Sequence, residues 1–254
     1  MSGGVLLLDI GNTFVKWGVV RDGGFALSGR LPFDELKLIF PTIEPPEQVL
    51  CASVASPQQE ARLLEMLPAD FPAPWFARSK ARLGELTNSY ADPSRMGVDR
   101  WLAMLAARSR YKGRLCVVDV GSALTIDFIS EFGHHEGGYI IPGRALMLRA
   151  LTLDTDRVRF DAVESPMLGP GVSTAEAVEH GALLAQCGAI QLSLREAEVD
   201  CPVDHLLICG GGAEQVAKHI GRPVEQTPNL VFEGLCEQAL LERVVAERLL
   251  RGGT

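Results

Sequence analysis

The run VLLLDIGNTFVKWGVV, Val5 to Val20, constrains the fold more than any other stretch of the chain. Val5 to Ile10 reads as a buried strand, Gly11-Asn12-Thr13 as a tight turn, and Phe14 onward as a second strand. Asp9 interrupts the otherwise apolar first strand. A carboxylate there is costly unless it is hydrogen-bonded, paired or facing a cation. The turn beside it can point backbone N–H groups and the Asn12 and Thr13 side chains at an anion. Lys16 adds a point charge on the outgoing strand. A carboxylate beside an anion cradle points to a nucleotide with its metal.

The design recurs. CVVDVGSALTIDFIS, Cys116 to Ser130, again has an apolar strand, an aspartate, a glycine turn and a second strand. Asp119 matches Asp9 and Gly121 matches Gly11, an offset of 110 residues in each case. Internal self-similarity of this kind suggests a duplicated domain. The expected division is residues 1–113 and 114–254, each of ordinary domain size.

The local signals around both runs fit an α/β layered unit. In the first half, strands are expected at Phe25–Leu31, Gln48–Val54 and near Trp75-Phe76. Helices are expected over Phe33–Phe40 and from Ser56-Pro57 through Leu67. A polar loop, Leu86 to Asp92, leads into a helix whose spacing shows in Leu102, Leu105 and Ala106. Asp99 and Arg100 fall in or near its first turn. The macrodipole favours the aspartate there and opposes the arginine, so Arg100 calls for a compensating anion. Gly97 allows close approach at that helix start. Tyr90 reads equally as a packed aromatic or a ligand contact.

In the second half, strands are expected at Leu115–Val120, Thr125–Ser130, Glu136–Ile141 and His205–Cys209. Pro142-Gly143 turns into a helix, and Leu153 to Gly171 reads as a long loop. Ser173-Thr174-Ala175-Glu176 is a capping box for a helix to about Glu198. The Gly210-Gly211-Gly212 run permits close approach of a ligand, though glycine turns at such junctions are common. A final amphipathic helix is expected over Leu230–Leu250.

Composition excludes several classes. A net charge of −8 argues against nucleic acid held by a general electrostatic footprint. No apolar stretch has membrane-spanning length. The opening apolar run lacks a basic lead-in and is broken by Asp9, so it is not read as a signal peptide. Six cysteines without CxxC spacing read as reduced thiols of a cytoplasmic protein. No ligand ladder for structural zinc is present.

Taken together, DIGNTFVK (Asp9–Lys16), GVDR (Gly97–Arg100), DVGSALTID (Asp119–Asp127), GGYIIPG (Gly137–Gly143) and STAEA (Ser173–Ala177) resemble the type III pantothenate kinases. That family belongs to the acetate kinase, Hsp70, hexokinase and actin superfamily. The motifs span nearly the whole chain in family order. The resemblance implies two duplicated ribonuclease-H-like, actin-like ATPase domains, with mixed sheets flanked by helices and ATP in a cleft between them. It implies ATP-dependent phosphorylation of pantothenate to 4′-phosphopantothenate, the first step of coenzyme A biosynthesis.

By the same resemblance, Asp9, Ile10, Gly11, Asn12, Thr13, Phe14, Val15 and Lys16 contact ATP, with Asp9 near Mg²⁺ through water. Ser122 stands where most relatives have a phosphate-contacting threonine, and Asp119 matches a ligand of K⁺ or NH₄⁺. Tyr90, Gly97, Val98, Asp99, Arg100 and Thr174 match the pantothenate site, with Asp99 the catalytic acid residue. A homodimer is implied. Because Ser122 keeps the hydroxyl, its expected cost in ATP affinity stays under about 1.4 kcal/mol, or tenfold. Two other readings stand beside this one: a kinase of another hydroxyl acceptor, and a regulatory protein like the Bvg accessory factors.

Overall fold

A strand whose one polar residue lies near its end belongs in the middle of a covered sheet, and Val5–Ile10 occupies such a place. The computed structural model describes residues 4–11, 14–154, 167–245 and 250. Its contacts divide the chain into two units, Met1–Ser109 with Leu230–Thr254, and Arg110–Asn229.

In the first unit, β1 (Val5–Ile10), β2 (Phe14–Arg21) and β3 (Gly24–Pro32) form an antiparallel meander. β4 (Gln48–Ser53) and β5 (Trp75–Phe76) run parallel on the other side of β1, giving the order β3-β2-β1-β4-β5. Between them α1 (Pro57–Met66) makes the crossover, with Pro57 at its first position and the Ser56 side chain accepting from Gln59 N. Leu63 of α1 joins Leu6, Leu8, Val15 and Val49 in one core cluster. The expected helix over 33–40 is instead a pair of 3-10 turns, Phe33–Leu38 and Phe40–Thr42. Pro32 precedes the first turn and offers no side-chain cap.

A small hairpin, β6 (Arg82–Leu83) with β7 (Leu86–Thr87), precedes α2 (Val98–Arg110). Nearly every residue from Val98 to Arg108 is buried, so α2 is an interior helix rather than a one-sided surface one. The C-terminal helix Leu230–Leu241 packs on β1 and β4 and crosses α2 closely. A Cβ on Gly234 would overlap the Leu102 carbonyl, and Gln238 accepts from Trp101 Nε1 at 3.2 Å while donating to Arg78 O at 2.9 Å. The segment from Leu230, assigned to residues 114–254 on sequence grounds, is therefore carried by the first unit. The helix also ends at Leu241 rather than Leu250. Arg243 takes a left-handed φ of 57°, and Val244 N bonds Ala239 O while Arg243 N bonds Leu240 O, the Schellman arrangement. Residues 246–249 lie outside the described residues.

The second unit repeats the plan. It contains β8 (Leu115–Val120), β9 (Ala123–Ile129), β10 (His135–Pro142), α3 (Arg144–Asp154), α4 (Thr174–Ala197), β11 (His205–Cys209), α5 (Ala213–Ala217) and β12 (Glu225–Gln226). Their sheet order is β10-β9-β8-β11-β12, the order of the first sheet position for position, with the same mix of antiparallel and parallel pairs. Val118, Val120, Ile126, Leu183, Cys187 and Ile208 lie at its core. With α6 as the label for Leu230–Leu241, the helices number six among the described residues.

Two polar details are fixed locally. Ser173 caps α4 by accepting from Glu176 N at 3.2 Å, while Glu176 reaches back to Val172 N at 2.8 Å, a variant of the expected capping box. His135 on β10 pairs with Asp127 on β9 at 3.0 Å, both buried, which accounts for one member of the His134-His135 pair. Among the described residues no helix is long and apolar enough to cross a membrane.

Candidate active site

The two glycine turns sit at matching places, between β1 and β2 and between β8 and β9. In the first, Gly11 N donates to Phe14 O at 3.0 Å. Asp9 is the fifth residue of β1 and directly faces Lys16 on β2, whose Nζ stands 3.7 Å from Asp9 Oδ2. Phe14 is partly exposed at the mouth of the turn, with the Arg30 guanidinium 4.1 Å above its ring. Ile10 and Val15 are core residues, so they can meet a ligand only through their backbone. Asn12 and Thr13 lie outside the described residues.

The second turn is one residue tighter: Gly121 N donates to Ala123 O at 3.0 Å, and Ser122 is exposed at its tip. The register therefore shifts, and the residue facing Asp119 across the hairpin is Thr125, where Asp9 has Lys16. Facing residues on antiparallel strands share one side of the sheet. The first carboxylate is thus given an ammonium neighbour and the second a neutral hydroxyl. A Cβ on Gly121 would stand 3.1 Å from Asp119 Oδ1, and one on Gly210 would overlap that oxygen. Gly210 N-terminal to α5, with φ of 90°, leaves the space beside the carboxylate that a side chain would fill. Gly143 N donates to Ser122 O at 3.1 Å, so the GGYIIPG segment braces the Ser122 turn from β10.

These donors fit the ions that the family resemblance implies. Among the described residues no three His, Cys, Asp or Glu side chains gather to hold a metal. Asp9, a single half-buried carboxylate, suits Mg²⁺, which keeps waters and takes phosphate oxygens as ligands. Asp119, on an oxygen-lined strand end opened by two glycines, suits a hard monovalent cation.

The start of α2 gathers the remaining residues of the first unit. Arg100 is 6% exposed, and its Nη1 donates to the Tyr90 hydroxyl at 2.9 Å. Asp99 Oδ1 accepts from Arg100 N at 2.8 Å. Gly97 is needed for that rotamer, since a Cβ there would stand 2.6 Å from Asp99 Oδ1. Val98 is buried and supplies backbone only. Tyr90 N is held by Asn88 Oδ1 at 3.0 Å, a contact the sequence reading passed over. An asparagine two residues before a tyrosine, just after a strand, was the available signal. In the second unit Thr174 is the first residue of α4 and is exposed, beside its cap Ser173.

Comparison with known proteins identifies the family. The family model described as type III pantothenate kinase matches residues 5–196. The type III pantothenate kinase of Thiobacillus denitrificans is 37% identical over 236 residues, which cover 92% of this chain and 96% of that protein. Among solved structures, a Baf family protein from Campylobacter jejuni, named as a candidate transcriptional activator, superposes with a TM-score of 0.63 at 21% identity over 94% of this chain and all of that one. A candidate 2-dehydro-3-deoxygalactonokinase from Sinorhizobium meliloti gives 0.56 at 13% identity over 92% and 98% of the two chains. At such identities these two structures speak for the actin-like kinase fold alone. The matched family model, the identity over nearly the full chain and the paired strand–turn–strand motifs lead to one statement: the chain belongs to the type III pantothenate kinase family.

Proposed function

We propose that the chain transfers the γ-phosphoryl group of ATP to the primary hydroxyl of pantothenate, yielding ADP and 4′-phosphopantothenate for coenzyme A biosynthesis. The observation that carries this reading is the Asp99–Arg100–Tyr90 constellation at the start of α2, in a chain of this family. Phosphoryl transfer depends on alignment and charge neutralisation more than on covalent help from the protein. Asp99, its rotamer held by the Arg100 N–H, orients the substrate hydroxyl and takes its proton as the new O–P bond forms. Arg100 binds the pantothenate carboxylate, which explains a cation buried at a helix N-terminus. Tyr90 fixes the Arg100 guanidinium, and Thr174 keeps the pantothenate-binding role that the family resemblance gives it.

In the first hairpin, the Gly11 to Lys16 backbone and the Lys16 ammonium meet phosphate oxygens, and Asp9 would hold Mg²⁺. In the second, Ser122 meets a phosphate oxygen and Asp119 would hold K⁺ or NH₄⁺. When bound, these cations would supply charge neutralisation for the phosphates. A homodimer belongs to the same reading: edge strand β10 leaves Tyr139 and Ile140 exposed by 49% and 62%, an apolar edge for a second copy. A cytoplasmic setting suits six cysteines that are all free.

The test is a coupled assay of ADP release with ATP, Mg²⁺ and pantothenate, in potassium and in sodium buffer, on the native chain and on Asp99→Asn. Expected are pantothenate-dependent turnover higher in potassium, and a loss of at least about 10²-fold in kcat for Asp99→Asn. An Asp99→Asn protein with full turnover would refute the catalytic assignment. Equal rates in the two salts would remove the cation role of Asp119.

A further inference from the structure

Asn88 carries a buried donor that none of the roles above uses. It follows β7 directly, and its backbone N–H donates to Ala81 O at 2.9 Å. Its Oδ1 accepts the Tyr90 N–H at 3.0 Å. Only the amide oxygen can accept from an N–H, so this bond fixes which end of the amide faces Tyr90. The other end, Nδ2, is buried and has no hydrogen-bond partner among the described residues. A buried amide NH₂ left without an acceptor is costly, and such groups are few in folded proteins. Each such group calls for an explanation, and an acceptor supplied by a ligand is one.

We infer that Asn88 is a further pantothenate-binding residue, its Nδ2 donating to the substrate's amide carbonyl oxygen. The inference rests on the assignment of Tyr90 and Arg100 to the pantothenate site. Placement supports it first. Asn88 Oδ1 grips the Tyr90 backbone while the Tyr90 hydroxyl accepts from Arg100, so donor, aromatic and guanidinium form one hydrogen-bonded chain. Chemistry supports it second. Pantothenate offers a carboxylate, an amide and two hydroxyls. With Arg100 on the carboxylate and Asp99 on the primary hydroxyl, the amide carbonyl is the strongest acceptor left. A neutral donor in a buried place suits a neutral carbonyl better than an ion, because no charge has to be desolvated against it. A site built to donate to that carbonyl would also discriminate against acceptor alcohols lacking it.

Two substitutions separate the donor from the turn it stabilises. Asn88→Asp keeps an oxygen for the Tyr90 N–H and removes the donor. Asn88→Ser removes the NH₂ without adding charge, its own O–H lying one bond nearer the backbone and out of reach of the same acceptor. Both should raise the pantothenate KM about tenfold, with kcat within about twofold and the ATP KM unchanged. With panthenol, whose terminal carboxylate is replaced by an alcohol, Asn88→Ser should cause the same relative loss as with pantothenate. A loss that disappears with panthenol would overturn the carbonyl assignment and place the donor on the carboxylate. Tyr90→Phe is the control for the site itself. A raised pantothenate KM in Tyr90→Phe, with both Asn88 variants unchanged, overturns the role of Asn88 alone. Unchanged KM in all three overturns the pantothenate site together with it. Thermal unfolding of each variant accompanies the kinetics, and a lowered midpoint without a KM change counts against the proposal.

Discussion

Replacing Gly210 with alanine tests whether the Gly210-Gly211-Gly212 run is glycine for internal packing or for a ligand. The three positions have different surroundings. Gly210 has φ of 90°, and a Cβ there would overlap Asp119 Oδ1 and stand 2.6 Å from both C and O of Val120. At Gly212 it would meet Val120 Cγ1 at 2.7 Å, and at Gly211 nothing lies within 4 Å. A left-handed backbone costs an L residue roughly 1–2 kcal/mol. Forcing a methyl group into packed surroundings costs roughly 1–3 kcal/mol more. The clashing atoms are backbone and carboxylate at the end of β8, held in register beside β11 by the Asp119–Cys209 pairing, so relaxation is small. Gly210→Ala should therefore lose about 2–5 kcal/mol, a large part of the ~5–15 kcal/mol that holds a typical domain. Gly211→Ala should stay within about 0.5 kcal/mol. Urea unfolding followed by circular dichroism is the assay, because Trp17, Trp75 and Trp101 all report on the first unit. Displacing Asp119 should also shrink the gain from potassium over sodium in the turnover assay. If Gly210→Ala unfolds at the native urea concentration while Gly211→Ala does not, the packing argument fails.

Two further outcomes follow from the titratable groups. Partial burial works to raise the Glu198 carboxyl, but the Arg222 hydrogen bond at 2.7 Å, the Val203 N–H and the charges of Arg222 and Arg114 outweigh it and hold the group below its usual range. A depressed folded pKa stabilises above the unfolded value, near 4.3 in model peptides, and that stability is lost as pH falls through the folded value. Glu198→Gln should thus cost about 1 kcal/mol at pH 7, a figure reduced for a pair a quarter to a third exposed, and the gap from the native chain should close below about pH 4; a gap that widens in acid would contradict it. Burial pushes the thiols of Cys51 and Cys116 far up, Cys187 to about 11 and Cys236 to about 12, whereas Cys201 is exposed. An alkylating reagent at pH 8 should add one group per folded chain, at Cys201, and reach all six cysteines in denaturant, as read by mass spectrometry.

The parts of this molecule legible in the sequence are those decided within one strand or one turn. VLLLDI and LCVVDV lack alternation, which announces strands covered on both faces, and each places its aspartate fifth of six. Ser56-Pro57 and Ser173 announce helix starts through bonds that stay within four residues. What could not be read depends on partners far along the chain. The amphipathic pattern of Leu230–Leu241 says that the helix has an apolar face, but not which sheet covers it. That choice is made by Gly234 against Leu102 and by Gln238 against Trp101. Asn88 shows the same limit inside the site, since an orphaned donor is defined only when its surroundings are known.

The duplication teaches the subtlest version of this. The constant offset of 110 residues holds through the two glycines and then drops by one, because the second turn closes on Ala123 where the first closes on Phe14. A shift of one residue in a hairpin changes which side chain faces which. It sets Lys16 opposite Asp9 but Thr125 opposite Asp119. Two nearly identical strands thereby set a lysine opposite one carboxylate and a threonine opposite the other. The roles proposed above, phosphate and magnesium at the first hairpin and a monovalent cation at the second, can therefore be tested at that turn. Lengthening the second turn by one residue and placing lysine opposite Asp119 should then abolish the advantage of potassium over sodium, because the ammonium would supply the charge that the ion brings.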